Sequence, residues 1–233
     1  MEGLVKLLRA LLFFISTILI YLAVPLLGWG VTDLVSFFAY GPRIGYAVIV
    51  GLFSLAVGIQ AFSSVVGIRG GKGQTEKFVS RQHVVRILLV ISLYLELFLL
   101  PLFDRHSIGV FSASAGFHWL GAGLSAVGYA LVFLSGLALG RQYSQEVTIQ
   151  ADHQLITHGA YRYIRHPRYL GIILLDIGVP LVFRSWIGLV VWFLFTSVLL
   201  FRIRDEEALL HKEFGLEWEA YSNRSWRLLP YVF

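Results

Sequence analysis

Apolar residues fall into six long runs, at residues 8–27, 44–66, 84–103, 117–140, 169–183 and 186–201. A helix needs about 20 apolar residues to cross the hydrocarbon core of a bilayer, so the first four runs predict membrane-spanning helices. The last two are shorter, and only Phe183-Arg184-Ser185-Trp186 interrupts them. They predict a tight helical hairpin that lies with its turn shallow or in a locally thinned leaflet. The first run lacks a small-x-small cleavage site, so we expect it to be retained as a helix.

Composition supports a membrane protein. Hydrophobic residues make up 57% of the 233 residues and charged residues 14%, whereas an ordinary soluble domain has about 25% charged residues. The mean hydropathy is +0.74. We therefore expect an all-α, polytopic membrane protein with about six transmembrane helices. The chain has no Cys, which excludes disulfides, thiolate metal sites and Cys nucleophiles, and we expect no metal.

The basic residues are distributed asymmetrically between the predicted loops. Six spans put both termini on one side, and 16 of the 19 Lys and Arg residues fall on that side; the exceptions are Arg43, Arg105 and Arg184. The positive-inside rule then predicts that both termini are cytoplasmic. Because topology accounts for the net charge of +5, we expect the bilayer, and not nucleic acid, to be the partner of this charge.

Two further features lie inside the runs. The fourth run carries small residues at Gly121, Ser125, Gly128, Gly136 and Gly140, and such residues four apart are typical of helices that pack closely in lipid. Glu96 and Asp176 are acids within predicted spans. A charge in the membrane is costly and often functional, but a neutral acid hydrogen-bonded to a nearby Ser or Tyr is an equal alternative.

A basic stretch and an acidic pair flank the hairpin. The stretch is residues 159–171, and the pair, Glu206-Glu207, follows the last apolar run. A hairpin returns to the side that it left, so the two segments should meet at one membrane surface. Arg202 and Glu206 are four residues apart and share a helix face, whereas Asp205 and Glu207 point elsewhere.

These residue types suit a zwitterionic or cationic ligand at the cytoplasmic face. The Glu206 carboxylate can bind an ammonium group, Arg side chains can bind a carboxylate, and Tyr161 and Tyr169 can stack on a ring or face a cation. S-adenosylmethionine has all three features. The alternative is a purely structural set of snorkelling side chains that anchors the hairpin.

The motifs that flank the hairpin resemble those of a known family. Gly-x-Tyr-x-x-x-Arg-His-Pro-x-Tyr-x-Gly begins at Gly159, Arg-x-x-x-Glu-Glu at Arg202, and Phe-Gly-x-x-Trp-x-x-Tyr at Phe214. Over residues 141–230 this pattern resembles the isoprenylcysteine carboxyl methyltransferase family, and phospholipid N-methyltransferases share much of it. The resemblance implies a methyltransferase core at 141–233, with a cytoplasmic cofactor pocket, preceded by about four transmembrane helices at 1–140.

The resemblance also implies roles for individual residues. Arg202 would bind the substrate, and Arg202, Tyr169 and His166 would be catalytic. The cofactor would be S-adenosyl-L-methionine, with S-adenosyl-L-homocysteine as product. Its binding residues would be Gln145, Glu146, His153, Gln154, Leu155, Ile156, Tyr161, His166, Pro167, Arg168, Tyr169 and Glu206.

The acceptor is the open question at this stage. The resemblance favours carboxyl O-methylation of an isoprenylcysteine-like, lipophilic or lipidated substrate. A phospholipid amine or a small hydrophobic thiol or acid is the alternative, and an amine or thiol would need a proton acceptor such as His166, Glu207 or Tyr169. A membrane reductase of the sterol type, using NADPH, is more distant, because Glu206 and Glu207 disfavour a phosphate-binding pocket.

Overall fold

The computed structural model describes residues 2–63, 77–78, 81–140, 148–149 and 154–232, with side chains described in 2–63, 85–140 and 154–232. These residues form nine α-helices. They are α1 Glu2–Ile18, α2 Val24–Trp29, α3 Leu34–Phe38, α4 Gly41–Ser63, α5 Arg81–Arg105, α6 Ala115–Leu139, α7 Pro167–Val182, α8 Trp186–Phe214 and α9 Leu216–Ser222. Two two-residue strands, β1 Lys77–Phe78 and β2 Thr148–Ile149, pair antiparallel. The predicted helical class is confirmed, with this short ladder as an addition.

Five helical segments in the described part of the chain are long and apolar enough to cross a membrane: Glu2–Trp29, Gly41–Ser63, Val85–Arg105, Ala115–Leu139 and Trp186–Phe214. They correspond to five of the six predicted spans, and the chain is a multi-pass membrane protein. The sixth, α7, has 16 residues. At 1.5 Å per residue it is about 24 Å long, less than a hydrocarbon core of about 30 Å. The predicted shortness of this hairpin arm is therefore confirmed.

The first span is one continuous helical segment with a π-helical turn at Leu19–Ala23 between α1 and α2. Pro25 follows that turn and has no amide hydrogen to donate to the carbonyl of Tyr21, four residues earlier. The hydroxyl of Tyr46 on α4 donates to this carbonyl at 2.8 Å. A proline in the first span is thus matched by a donor from α4.

Helices α6 and α7 approach closely along their small residues. A Cβ built on Gly128 would lie 2.6 Å from the carbonyl oxygen of Gly171, and one on Gly121 would lie 2.8 Å from that of Gly178. No real Cβ tolerates such distances to a neighbouring backbone. The predicted packing role of Gly121, Ser125 and Gly128 is therefore confirmed, and their partners are glycines of α7. It is wrong for Gly136 and Gly140: a Cβ at 136 would meet only the side chain of Arg168 at 4.0 Å, and one at 140 would have nothing within 4 Å.

A buried ion cluster holds the turn between α7 and α8. Asp104, at the end of α5, is 2% exposed and accepts from Arg184 Nε at 2.6 Å and from Arg43 Nη1 at 2.9 Å. Arg184 has φ of 51° in the turn, and Ser185 caps α8 by accepting from the amide of Gly188 at 3.1 Å. The three charges join α4, α5 and the turn.

The second arm of the hairpin continues past its apolar run. The run ends at residue 201, whereas α8 has 29 residues and ends at Phe214, so Arg202 and Glu206 lie on one helix, as predicted. The charged residues that follow the apolar run are good helix formers, so polarity ends the run without ending the helix. Gly215, at φ of 49°, ends α8, and α9 follows.

Candidate active site

The basic stretch and the acidic pair meet at one end of the hairpin, as predicted. Glu207 Oε1 lies 3.1 Å from Arg165 Nε and 3.2 Å from His166 Nε2. Its Oε2 lies 2.9 Å from Arg227 Nε and 2.6 Å from Arg227 Nη2. The side chain of Glu207 is 12% exposed. Two arginines and a histidine, from the segment before α7 and the segment after α9, therefore surround one carboxylate.

The backbone before α7 explains how Arg165 and His166 are placed. A 3₁₀ turn at Gly159–Arg162 precedes them, and Pro167 begins α7, where a missing amide hydrogen costs nothing. The amides of Arg165 and His166 donate to the carbonyls of Trp226 at 2.7 Å and Arg227 at 3.1 Å. The segment after α9 therefore fixes the loop that carries the basic residues.

A second polar chain lies beside this cluster. Arg202 Nε donates to the Tyr169 hydroxyl at 2.9 Å, and that hydroxyl donates to Glu206 Oε2 at 2.7 Å. Arg202 is 6% exposed. The prediction that Arg202 and Glu206 share one face of a helix is confirmed, and Tyr169 on α7 links them. Glu207, the next residue, projects toward Arg165 instead, as its different position around the helix requires.

The hydrogen-bonded side chains Arg202, Tyr169 and Glu206 border a cavity of about 430 Å³. That volume is within the usual range for a small-molecule site, about 300–1,000 Å³. Along α8 its wall is formed by Phe195, Leu199, Arg202, Glu206 and Leu210, which recur on one helix face. The wall changes from apolar to charged at Arg202, so one continuous cavity has an apolar part and a polar part.

Aromatic side chains close the polar part. Trp218 and Tyr221 of α9 and Tyr161 line it, and Tyr221 donates to the carbonyl of Tyr161 at 2.7 Å. Burial raises the pKa of the Tyr221 hydroxyl to about 12. Burial and, next, the Glu206 carboxylate raise the pKa of Tyr161. Both phenols are therefore neutral hydrogen-bonding groups near neutral pH.

Most of the described site residues predicted from sequence border this cavity. They are Gln154, Leu155, Ile156, Tyr161, His166, Arg168, Tyr169, Arg202 and Glu206. Pro167 is buried at the start of α7 and positions its neighbours. Gln145, Glu146 and His153 lie outside the described residues. The structure thus brings together nine of the predicted residues, while their individual roles stay predictions.

Other residues of the site were not predicted as such. Trp218 and Tyr221 belong to the motif that begins at Phe214 but were given no role, although that spacing was a usable signal. Arg165 was only part of the basic stretch, and Arg86 was only one of the 16 basic residues on the predicted cytoplasmic side; both border the cavity. Asp176 lies at its inner end, where the sequence marked it only as an acid within a span.

Comparison with known proteins agrees with the motifs. Residues 121–212 match the sequence model of the isoprenylcysteine carboxyl methyltransferase (ICMT) family. A probable protein-S-isoprenylcysteine O-methyltransferase of Oryza sativa subsp. indica is 30% identical over 121 residues, 49% of this chain and 61% of the rice protein. The protein-S-isoprenylcysteine O-methyltransferase of Tribolium castaneum is 24% identical over 198 residues, 81% of this chain and 65% of the relative.

A solved structure was also found to be similar. It is that of the eukaryotic intramembrane Ras methyltransferase ICMT without a monobody, which aligns over 99% of this chain and 96% of its own at 17% identity and a TM-score of 0.48. The sequence matches span less than two thirds of the rice and Tribolium relatives. The similarity to the isoprenylcysteine carboxyl methyltransferase family model therefore covers residues 121–212 of this chain.

Proposed function

We propose that this protein is an integral membrane methyltransferase that uses S-adenosylmethionine and transfers a methyl group to the carboxylate of a lipophilic, isoprenylcysteine-like acceptor. The observation that carries the proposal is the position of the Arg202–Tyr169–Glu206 chain, where the polar and apolar parts of one cavity meet. A methyltransferase for a lipid-like acceptor needs a polar cofactor site and an apolar acceptor site that join at the reacting atoms.

The polar part fits the proposed cofactor by the chemistry of its side chains. Glu206 would bind the ammonium group, Arg168 the carboxylate, and the rings of Tyr161, Trp218 and Tyr221 would surround the base. When bound, S-adenosylmethionine supplies an electrophilic methyl group on a sulfonium sulfur. A cationic ligand is also favoured where Glu206 and aromatic faces lie together.

Arg202 would orient the acceptor. Its buried guanidinium borders the cavity, and its bond to Tyr169 fixes the plane of the group. A carboxylate is already ionised near neutral pH, so no side chain has to remove a proton when its oxygen bonds to the methyl carbon and the methyl–sulfur bond breaks. The apolar part, formed by Phe195, Leu199 and Leu93 among others, would hold the lipophilic body and exclude water.

The candidate bases already have hydrogen-bond partners, which favours a carboxylate as methyl acceptor over an amine or a thiol. His166 is 3% exposed and bonded to Glu207, while Glu207 accepts from Arg165 and Arg227 as well. Cationic partners stabilise the ionised form of a carboxylate, which makes it a weak proton acceptor. The site therefore suits an acceptor that need not lose a proton better than an amine or a thiol.

The positive-inside distribution of Lys and Arg supports cytoplasmic termini, and hence a cytoplasmic position for the polar part of the cavity. Water-soluble cofactor and lipid-borne acceptor would then enter from different phases.

The test is calorimetric titration of S-adenosylhomocysteine into detergent-purified protein, with turnover measured from a labelled methyl donor. We expect Glu206→Ala to abolish cofactor binding, because the ammonium group loses its counter-charge. Arg202→Ala should keep cofactor binding and lose turnover. Glu217→Ala, an exposed acid on α9, is the matched control and should retain both.

Two outcomes contradict the proposal. Absence of S-adenosylhomocysteine binding by folded wild-type protein removes the cofactor assignment, and NADPH would be titrated next. Normal turnover by Arg202→Ala with a carboxylate acceptor removes the substrate-binding role of Arg202.

A further inference from the structure

The inner end of the cavity carries a pair of buried acids that the proposed methyl transfer does not use. Asp176 of α7 lines the cavity and is 2% exposed. Glu96 of α5 lies against it and is 4% exposed. Ionisable groups at membrane depth are expensive and typically face a cavity or a partner, so this pair requires an explanation.

The pair lacks a cationic partner among the described residues. The two carboxyl groups hydrogen-bond to each other, which requires a proton between them, since two carboxylates have only acceptors. Apart from that contact, Glu96 Oε1 and Asp176 Oδ2 have no hydrogen-bond partner in the part of the protein that the structure describes. Buried polar oxygens in this condition are normally satisfied by a further donor.

Helix geometry sets the distance between this pair and the methyl-transfer end. Tyr169, Ile172 and Asp176 all line the cavity and recur on one face of α7. Seven residues at 1.5 Å per residue separate Tyr169 from Asp176 by about 10 Å along the helix. Between them the wall includes Leu89 and Leu93 on α5, and Tyr21 and Tyr129 line the cavity as well. Along α5 and α7 the cavity therefore has a polar group at each end and apolar side chains between them.

We propose that Asp176, supported by Glu96, is a specificity-determining residue that binds a hydrogen-bond donor, a hydroxyl or an ammonium group, at the far end of a lipophilic acceptor. This inference rests on the proposed function. The acceptor that fits has a carboxylate at Arg202 and an apolar middle of about 10 Å. Its far end carries a donor for Asp176 Oδ2, the oxygen that has no hydrogen-bond partner in the described structure. A wholly apolar chain of the same length would leave that oxygen unsatisfied.

The test uses S-alkyl mercaptoacetic acids, hexyl to dodecyl, each made with a terminal methyl, hydroxyl or ammonium group. KM and kcat are measured for each acid, and the Kd is measured separately by equilibrium binding without a methyl donor. At the chain length that reaches Asp176, we expect the hydroxyl or ammonium acid to bind about tenfold more tightly than the methyl acid. The preference should appear in KM and Kd and leave kcat little changed.

Three variants identify the residue responsible. Asp176→Leu should abolish or invert the preference for the donor-bearing acid. Asp176→Asn, which keeps the size of the side chain if the Leu variant does not fold, should reduce the preference for the ammonium acid over the methyl acid. Glu217→Gln, at an exposed acid on α9, is the matched control, and the preference should remain.

The outcomes separate the two proposals. If methyl groups are transferred but the ratio of donor to methyl acids is the same in wild type and both Asp176 variants, the pair only joins α5 to α7 and this inference is wrong. If no acid is methylated but the Kd ratio depends on Asp176, the proposed function is wrong and the binding site stands.

Discussion

Glu207 is the residue whose neutralisation should affect the stability of this region most. It is one charge facing Arg165, His166 and Arg227, at 3.1, 3.2 and 2.9 Å. Glu207→Gln keeps the size and shape of the side chain but removes its charge. Arg165 and Arg227 then remain partly or largely buried without their counter-charge.

The structure sets the size of the effect. Removing one partner of a buried ion pair costs about 3–5 kcal/mol. The side chains of Glu207 and Arg165 are each 12% exposed, whereas that of Arg227 is 30% exposed and partly screened by solvent. We therefore expect a loss at the lower end, about 3 kcal/mol. For a protein of this size, that corresponds to a fall in Tm of roughly 6–12 °C.

The assay is thermal unfolding of detergent-purified protein at neutral pH, with Glu217→Gln as the control. Glu217 is exposed on α9, so the same chemical change there should leave Tm within about 2 °C of wild type. If Glu207→Gln behaved like the control, the cluster would not hold the basic loop, the hairpin and the C-terminal segment together.

Two further predictions concern packing and pH. Gly128→Ala should lower Tm far more than Gly123→Ala on the same helix, because a Cβ at 128 meets the α7 backbone at 2.6 Å while one at 123 has nothing within 4 Å; equal losses would refute the close α6–α7 contact. Tyr221 has its pKa raised to about 12 by burial, so its contribution to stability is present below about pH 10, the pKa of an unfolded tyrosine, and is lost as pH rises toward 12. Tyr221→Phe should therefore be less stable at neutral pH by about 1 kcal/mol and show a flatter decline in Tm above pH 10; an unchanged decline would contradict this.

Much of the fold was predictable because its signals are local. Apolar runs long enough to cross a bilayer predicted the helices, and the interruption at Phe183-Arg184-Ser185-Trp186 predicted the hairpin turn. Helical spacing placed Arg202 and Glu206 on one face, and the small residues of the fourth span predicted its close packing. The apolar run gave only the end of the predicted span at residue 201; the helix itself continues to Phe214, because charged residues continue a helix readily.

The sequence by itself thus determined the membrane class, the hairpin and the meeting of the basic and acidic segments, because hydrophobic length, helical period and a tight turn constrain neighbouring residues directly. Only the tertiary structure decided which side chains met across helices. It placed Glu207 against Arg227, brought Trp218 to the cavity, and set Glu96 beside Asp176. Those pairings depend on how each helix is rotated and where it crosses its neighbours, and that is fixed by packing of the whole bundle, such as the glycine contact of α6 with α7.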